Sequence, residues 1–267
     1  MAEPREHLLV ERPLPGVVLA TIDRPERRNA LTDQLFSDLA ELQREVDDDA
    51  EARALVVTGA GTAFCAGLDL DLAAELPAMA AEQYYRHQQR WAEATVGFTR
   101  MRTPVIAAVN GAASGAGLGI ALAADIRICS TTARFNAAFI RIGLSAGDVG
   151  CSWALPRIVG LGRAMEILLT GRFVDADEAL RIGLVSAAVA PEELLDRALA
   201  TAGLIGANSP FGVQLSKEVV HTNVDAPSLA AALELENRTQ VLATRSPDMA
   251  EAVAAFREKR TPVFGRA

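Results

Sequence analysis

The sequence predicts a layered α/β core with an α-helical C-terminal part, and three observations carry that prediction. Short apolar runs in the first half recur as strand, strand, helix. From Ser152 onward nearly every segment has helical character. Between the halves lies Thr103 to Ala121, TPVIAAVNGAASGAGLGIA, which reads as a buried strand, a tight turn and the start of a helix.

Taken in order, Leu8 to Glu11 and Val17 to Ile22 read as paired strands around Pro13 to Gly16. The polar, proline-interrupted loop DRPERRNALT follows, and a helix starts at Thr32 and runs to about Asp47, with Thr32 or Asp33 as its cap. Ala54 to Thr58 is an apolar strand that empties into GAGTAFCAGLDLDLAAE. Tyr84 to Met101 has helical periodicity, and Pro104 restarts an extended segment. Val105 to Val109 is the buried strand, Asn110 and Gly111 the turn, and Gly115 to Gly117 the helix entry. Strands then fall at about Ile126 to Cys129 and Ala133 to Asn136. Phe139 to Gly150 is irregular, with three glycines around one acid, Asp148. Helices are expected at Trp153 to Val159, Arg163 to Thr170 and Asp175 to Ile182, a strand near Leu184 to Val189, and helices from Pro191 through Arg260.

Composition excludes several classes. With 267 residues, half of them hydrophobic, the chain can bury a sizeable core. No apolar run reaches the length of a membrane span, and MAEPREHLLVERP lacks the apolar centre of a secretion signal, so a cytoplasmic protein without membrane insertion is expected. Cys65, Cys129 and Cys151 are odd in number and widely spaced, which argues against a disulfide framework and a Cys-x-x-Cys metal site. The net charge of −8 disfavours nucleic acid, while leaving room for a local basic patch that holds a phosphorylated small molecule. His7, His87 and His221 are too few for a multi-histidine metal centre, so no metal is expected and acid–base chemistry falls to carboxylates.

The Thr103 to Ala121 stretch has a chemistry of its own. First-turn amides of a helix lack intrahelical partners and carry partial positive charge, so a polarised oxygen is stabilised there when small residues let it approach. Other readings stay open at this level. Gly111, Gly115 and Gly117 resemble the nucleotide loop of short-chain dehydrogenases, although about a hundred residues precede them and Gln88 and Gln89 stand where a Tyr-x-x-x-Lys pair would need lysine. Ser114 lacks the first glycine of G-x-S-x-G, since Ala112 occupies that place. The glycines also suit close helix packing alone.

Several blocks in one order resemble the crotonase family, the enoyl-CoA hydratase/isomerase superfamily: IDRPERRNALT, GTAFCAGLDL, PVIAAVNGAASGAGLGIALAADIRI, LPRIVGLGRAMEILLTGR, the A-x-x-A-L-R-I-G-L-V run from Ala176, and FREKRTPVF. The resemblance implies a crotonase-like spiral of ββα units over residues 1–190 and a C-terminal α-helical trimerisation region over 191–267, assembled as a homotrimer or a dimer of trimers. It implies an acyl-CoA thioester as ligand, with coenzyme A part of the substrate and no separate cofactor. It places the thioester carbonyl between the backbone N–H groups of Leu68 and Ala116, and coenzyme A contacts at Arg28, Ala30, Ala66, Leu68, Asp69, Leu70 and Asp71. Lys259 matches a lysine that reaches the coenzyme A of a neighbouring subunit. Arg27, Arg28 and Lys259 are equally readable as solvated surface cations.

The sequence also departs from the family. The two glutamates that hydratases use as acid and base fall at Gly119 and Phe139. The remaining candidate is Asp148, which resembles the aspartate of dienoyl-CoA isomerases and, in its location, the nucleophile of the 4-chlorobenzoyl-CoA dehalogenase branch. An acid among glycines is also a common turn former. Glu75, Glu82 and Asp69 are set aside as members of a solvated loop and helix start. One carboxylate can pick up and return one proton, whereas adding water asks for removal and delivery together. The expectation is isomerase-like or atypical hydratase chemistry with Asp148 and with Phe139 in the acyl channel; the alternative is an acyl-CoA-binding homologue without catalysis.

Overall fold

The computed structural model describes residues 5–265, so the first four residues of the segment read for a secretion signal lie outside it. The elements in chain order are β1 (Leu8–Leu14), β2 (Val17–Ile22), α1 (Asp33–Asp48), β3 (Ala54–Gly59), β4 (Ala63–Cys65), α2 (Leu70–Glu75), α3 (Ala81–Arg100), β5 (Val105–Val109), β6 (Ala112–Ser114), α4 (Ala116–Ala123), β7 (Ile126–Ser130) and β8 (Arg134–Asn136). They continue with α5 (Cys151–Val159), α6 (Leu161–Thr170), β9 (Val174–Asp175), α7 (Ala176–Arg181), β10 (Ala187–Val189), α8 (Leu194–Gly206), α9 (Pro210–Asn223), α10 (Leu229–Ala243) and α11 (Pro247–Glu258).

Two mixed sheets organise the core. The larger has the order β1-β2-β3-β5-β7-β10, antiparallel between β1 and β2 and parallel thereafter; the smaller has the order β4-β6-β8-β9. Each circuit of the chain lays one strand in the large sheet, one in the small sheet, and then a helix. Successive circuits stack, because β3, β5 and β7 are neighbours in one sheet while β4, β6 and β8 are neighbours in the other. At the corners, where ladder bonds run out, side-chain amides take over. Asn29 Nδ2 donates to Ala63 O at 2.7 Å, and Asn110 Nδ2 to Gly61 O and Ala63 O at 3.0 and 3.1 Å, tying one circuit to the next.

The continuous apolar runs of β3 and β5 are explained by cover on both faces. Leu55, Val57, Ala107 and Val109 join the core formed with α1, α3 and α4, whereas Ala54, Val56, Ile106 and Ala108 pack with Leu194, Ala198 and Ala202 of α8. Thr32 caps α1 by accepting the Leu35 N–H at 3.2 Å. Pro13 lies inside β1, which a sheet edge tolerates, so the turn tightens to Pro15 and Gly16 with Leu14 opposite Val17.

The C-terminal helices α9 and α10 bury no residue in this chain. What anchors α9 is polar: Lys217 Nζ lies 2.7 Å and His221 Nε2 3.0 Å from the Asp125 carboxylate, which also accepts the Val105 N–H at 2.7 Å. No helix among the described residues is long and apolar enough to cross a membrane.

Candidate active site

The site is built from two glycine-bearing turns that touch. At the entry to α4, Gly115 has φ +54° and ψ −120°, a conformation closed to residues with a Cβ. Its N–H donates to Asn136 O at 3.1 Å and its carbonyl accepts the Gly119 N–H at 3.1 Å, so the next amide, Ala116 N–H, opens the helix with no partner among the described residues.

After β4 the chain forms a single parallel bridge between Leu31 and Leu68. Leu31 N–H donates to Gly67 O at 2.7 Å and Asp69 N–H to Leu31 O at 2.9 Å. In such a bridge the flanking groups face the partner strand and the central residue's N–H turns the other way. Gly67 N–H is taken by Cys65 Sγ at 3.4 Å, which leaves Leu68 N–H unpartnered among the described residues. Gly67 has φ +91°, and a Cβ there would lie 2.7 Å from Ser114 O and 3.2 Å from Ala116 N. Glycine is therefore required for the two turns to meet.

Leu68 and Ala116 line one cavity of about 100 Å³ together with Asp148, Phe139 and the α3 residues Tyr84, Gln88 and Trp91. Asp148 is half-buried. Its Oδ1 accepts the Val149 N–H at 2.8 Å and an N–H of the Gln88 side chain; Oδ2 has no partner among the described residues. Burial pushes the Asp148 carboxyl above its ordinary 3.8, and the two donors on Oδ1 only partly offset it. Burial, and then the Asp148 charge, raise the neighbouring Tyr84 phenol in turn. Trp91 is fixed by donating Nε1–H to Asp33 Oδ1 at 2.7 Å and by stacking on Phe36, with ring centroids 5.6 Å apart.

At position 119, where the family resemblance leads to the expectation of a carboxylate, glycine stands in tight packing. A Cβ on Gly119 would sit 2.8 Å from Thr95 Cγ2, 2.8 Å from Val149 Cγ2 and 3.1 Å from Val149 O. Val149 itself holds φ +39°, unusual for a β-branched residue. Its side chain fills the space a larger residue at 119 would need. At the other position, Phe139 is 6% exposed and its ring forms part of the pocket wall.

The remaining expected positions form the rim. Ala66 and Leu70 line the cavity, and Ala66 N–H donates to Arg28 O at 3.0 Å. Arg28 and Asn29 are left-handed at φ 52° and 58°, and buried Asn29 pins that loop by donating to Ala60 O and Ala63 O. Ala30 is buried, and its carbonyl accepts from Arg24 at 3.2 Å. Asp69 is 3% exposed; its carboxylate caps α2 and pairs with Arg24, and those partners hold it below its ordinary value despite burial. Asp71 pairs with Arg27. Arg28 stands exposed at this rim without an ion-pair partner among the described residues. Lys259 is exposed at the end of α11 with φ 54° and does not line this cavity. Glu75 is exposed, and Glu82 pairs with Arg86 at 2.6 Å; neither lines it.

The α3 wall was missed by sequence reasoning, in which Gln88 enters only as a failed lysine match. Its signal was present: Tyr84, Gln88 and Trp91 are spaced i, i+4, i+7, one face of a helix.

The enoyl-CoA hydratase/isomerase family model matches residues 14–267. A Mycobacterium tuberculosis protein named probable enoyl-CoA hydratase EchA12 is 42% identical over 96% of this chain and 92% of its own length. The 1,2-epoxyphenylacetyl-CoA isomerase of Escherichia coli is 38% identical over 93% of this chain and 95% of its own. Among solved structures, a probable enoyl-CoA hydratase/isomerase from Mycobacterium abscessus superposes with a TM-score of 0.89 at 40% identity, covering 97% of this chain and 98% of that one. A putative enoyl-CoA hydratase from Streptomyces coelicolor A3(2) gives 0.92 at 37% identity, covering 99% and 97%.

Proposed function

The chain belongs to the enoyl-CoA hydratase/isomerase family, whose enzymes act on acyl-CoA, and from that premise we propose that it shifts the double bond of an unsaturated acyl-CoA with Asp148 as the one proton carrier. Membership of the family also removes the dehydrogenase reading of Gly111, Gly115 and Gly117.

The thioester oxygen of a 3-enoyl-CoA accepts the N–H groups of Leu68 and Ala116. The Asp148 carboxylate takes a proton from C2; the C2–H electron pair becomes the C1=C2 bond of a dienolate while the C1=O pair moves onto the thioester oxygen, which carries the charge. Protonated Asp148 returns the proton to C4: the C3=C4 pair makes the C4–H bond, the C1=C2 pair shifts to C2=C3, the oxygen pair re-forms the carbonyl, and a 2-enoyl-CoA results. Each preorganised donor lowers the dienolate barrier by ~3 kcal/mol. A carboxyl whose affinity for protons is raised by burial suits both halves of the transfer. Arg28 at the rim meets a phosphate of coenzyme A, and the neighbouring backbone at Ala30, Ala66 and Leu68 to Asp71 receives the rest of the coenzyme. Lys259 is assigned to the coenzyme A of an adjacent subunit. Exposed apolar residues Leu229, Val241 and Phe256 on α10 and α11 support assembly as a trimer or a dimer of trimers.

The observation that carries this reading is the combination in one cavity of two amides without partners among the described residues and a single carboxylate, with Gly119 and Phe139 at the positions of the hydratase acids and Val149 against Gly119. The relatives' names span hydratase and isomerase, so the test compares both reactions. Purified wild type and Asp148→Asn are incubated with crotonyl-CoA and with a 3-enoyl-CoA, and products are separated by chromatography. Isomerisation by wild type that falls ~10²- to 10⁴-fold in the variant supports it. Equal turnover by the two proteins removes Asp148 from the mechanism, and tight binding without any product favours a binding protein.

A further inference from the structure

Behind the candidate active site lies a second cavity of about 840 Å³, between α4, α5 and the C-terminal helix α9. Near the site its wall is apolar, formed by Val96, Leu122, Ala123 and Ala154; Asp125, Lys217 and His221 lie at the α9 wall. Val149 lines this cavity and the small one beside Asp148 alike, and Gly119 lines the large one. The two spaces thus meet at Val149, the residue that lines both. That side chain stands where it does because residue 119 has no Cβ: the Val149 Cγ2 methyl would be 2.8 Å from one.

We propose that Val149 is the partition that limits acyl-chain length: it holds the substrate to short acyl groups, and removing its methyls joins the front pocket to the rear cavity so that long chains are accommodated. The proposal rests on the acyl-CoA reading of the front site. The front cavity of about 100 Å³ is small beside the ~300–1,000 Å³ of typical ligand sites, while the rear one lies within that range. The backbone of residue 149 stays in place in an alanine variant, so the N–H that donates to Asp148 Oδ1 is kept.

The experiment measures kcat/KM for butenoyl, octenoyl and dodecenoyl thioesters with the double bond at C3, and Kd by calorimetry for the matching saturated thioesters. It compares wild type, Val149→Ala, and a double variant that combines Val149→Ala with Ala154→Phe. Wild type is expected to prefer the butenoyl substrate. Val149→Ala should raise the dodecenoyl-to-butenoyl ratio of kcat/KM at least about tenfold and lower the corresponding long-to-short ratio of Kd by as much, since a hydrophobic pocket discriminates by about that much per methylene. Refilling the rear cavity through Ala154→Phe should reverse the gain. A wild type that already favours the dodecenoyl chain, or a ratio unchanged in Val149→Ala, overturns the partition and leaves the proton-transfer reading intact. Indifference of turnover to Asp148→Asn overturns that reading instead and leaves the binding ratios to judge the partition.

Discussion

Restoring a glutamate at position 119 is the sharpest test of the packing argument. Any residue other than glycine brings a Cβ, and its position is fixed by the backbone whatever rotamer follows. That Cβ meets Thr95 Cγ2 and Val149 Cγ2, each at 2.8 Å, and Val149 O at 3.1 Å. Thr95 has little freedom to retreat, being fully buried with its hydroxyl donating to Trp91 O at 2.8 Å. Forcing a Cβ against packed atoms at these distances costs ~1–3 kcal/mol. Gly119→Glu should therefore lower the free energy of unfolding in urea by that amount. Val149→Gly removes one of the two obstructing methyls and relieves the positive φ, so the cost of Gly119→Glu should shrink by at least ~0.5 kcal/mol in that background. The assay is a double-mutant cycle of urea unfolding with crotonyl-CoA hydration alongside. Hydration should remain at background in Gly119→Glu, because Phe139 still occupies the second position. Additive effects within ~0.5 kcal/mol, or a Gly119→Glu protein as stable as wild type, would refute the claim that Val149 occupies this space.

The remaining predictions concern Asp148. Its carboxyl is raised by burial, so isomerisation should lose its base as pH falls through a value above 3.8, and the acid limb of kcat/KM should lie higher than for an exposed aspartate. Gln88→Leu removes a donor from the ionised form and should move that limb to still higher pH; a limb unchanged in position would mean Gln88 does not hold the carboxylate. The same shift fixes a sign for stability. A carboxyl with a raised folded-state value destabilises the fold when ionised and ceases to do so once protonated, below the unfolded value. Asp148→Asn keeps an acceptor for Val149 and Gln88 and should raise Tm near neutral pH, with the advantage vanishing toward pH ~4 and below. A stabilisation that persists undiminished in acid would contradict the burial of an ionised Asp148.

Much of the large sheet was legible because its strands are long apolar runs with turns between them. The reading of Val105 to Val109 matches β5 residue for residue, and Thr32 is the cap of α1. Of the small sheet only β8 was legible, as the strand expected at Ala133 to Asn136. β4, β6 and β9 are three residues or fewer, too short to display a period, and exist only because each circuit stacks on the last. The candidate site divides likewise. Asp148 stands out in sequence as the acid among glycines, and Ala116 as the first residue past a glycine turn. Leu68 came only from family resemblance, since its free N–H depends on a single bridge to Leu31, thirty-seven positions earlier in the chain. Val149 carried no signal at all: its importance lies in the volume it takes from Gly119, which only packing reveals.

The most direct measurement follows one hydrogen. A 3-enoyl-CoA deuterated at C2 is converted in ordinary water, and the product is examined by mass spectrometry and NMR for label at C4. Transfer by one carboxylate that returns its proton faster than it exchanges with solvent predicts that part of the label reappears at C4, and that Asp148→Asn abolishes both turnover and transfer. Product without C4 label, formed equally well by Asp148→Asn, would contradict the account.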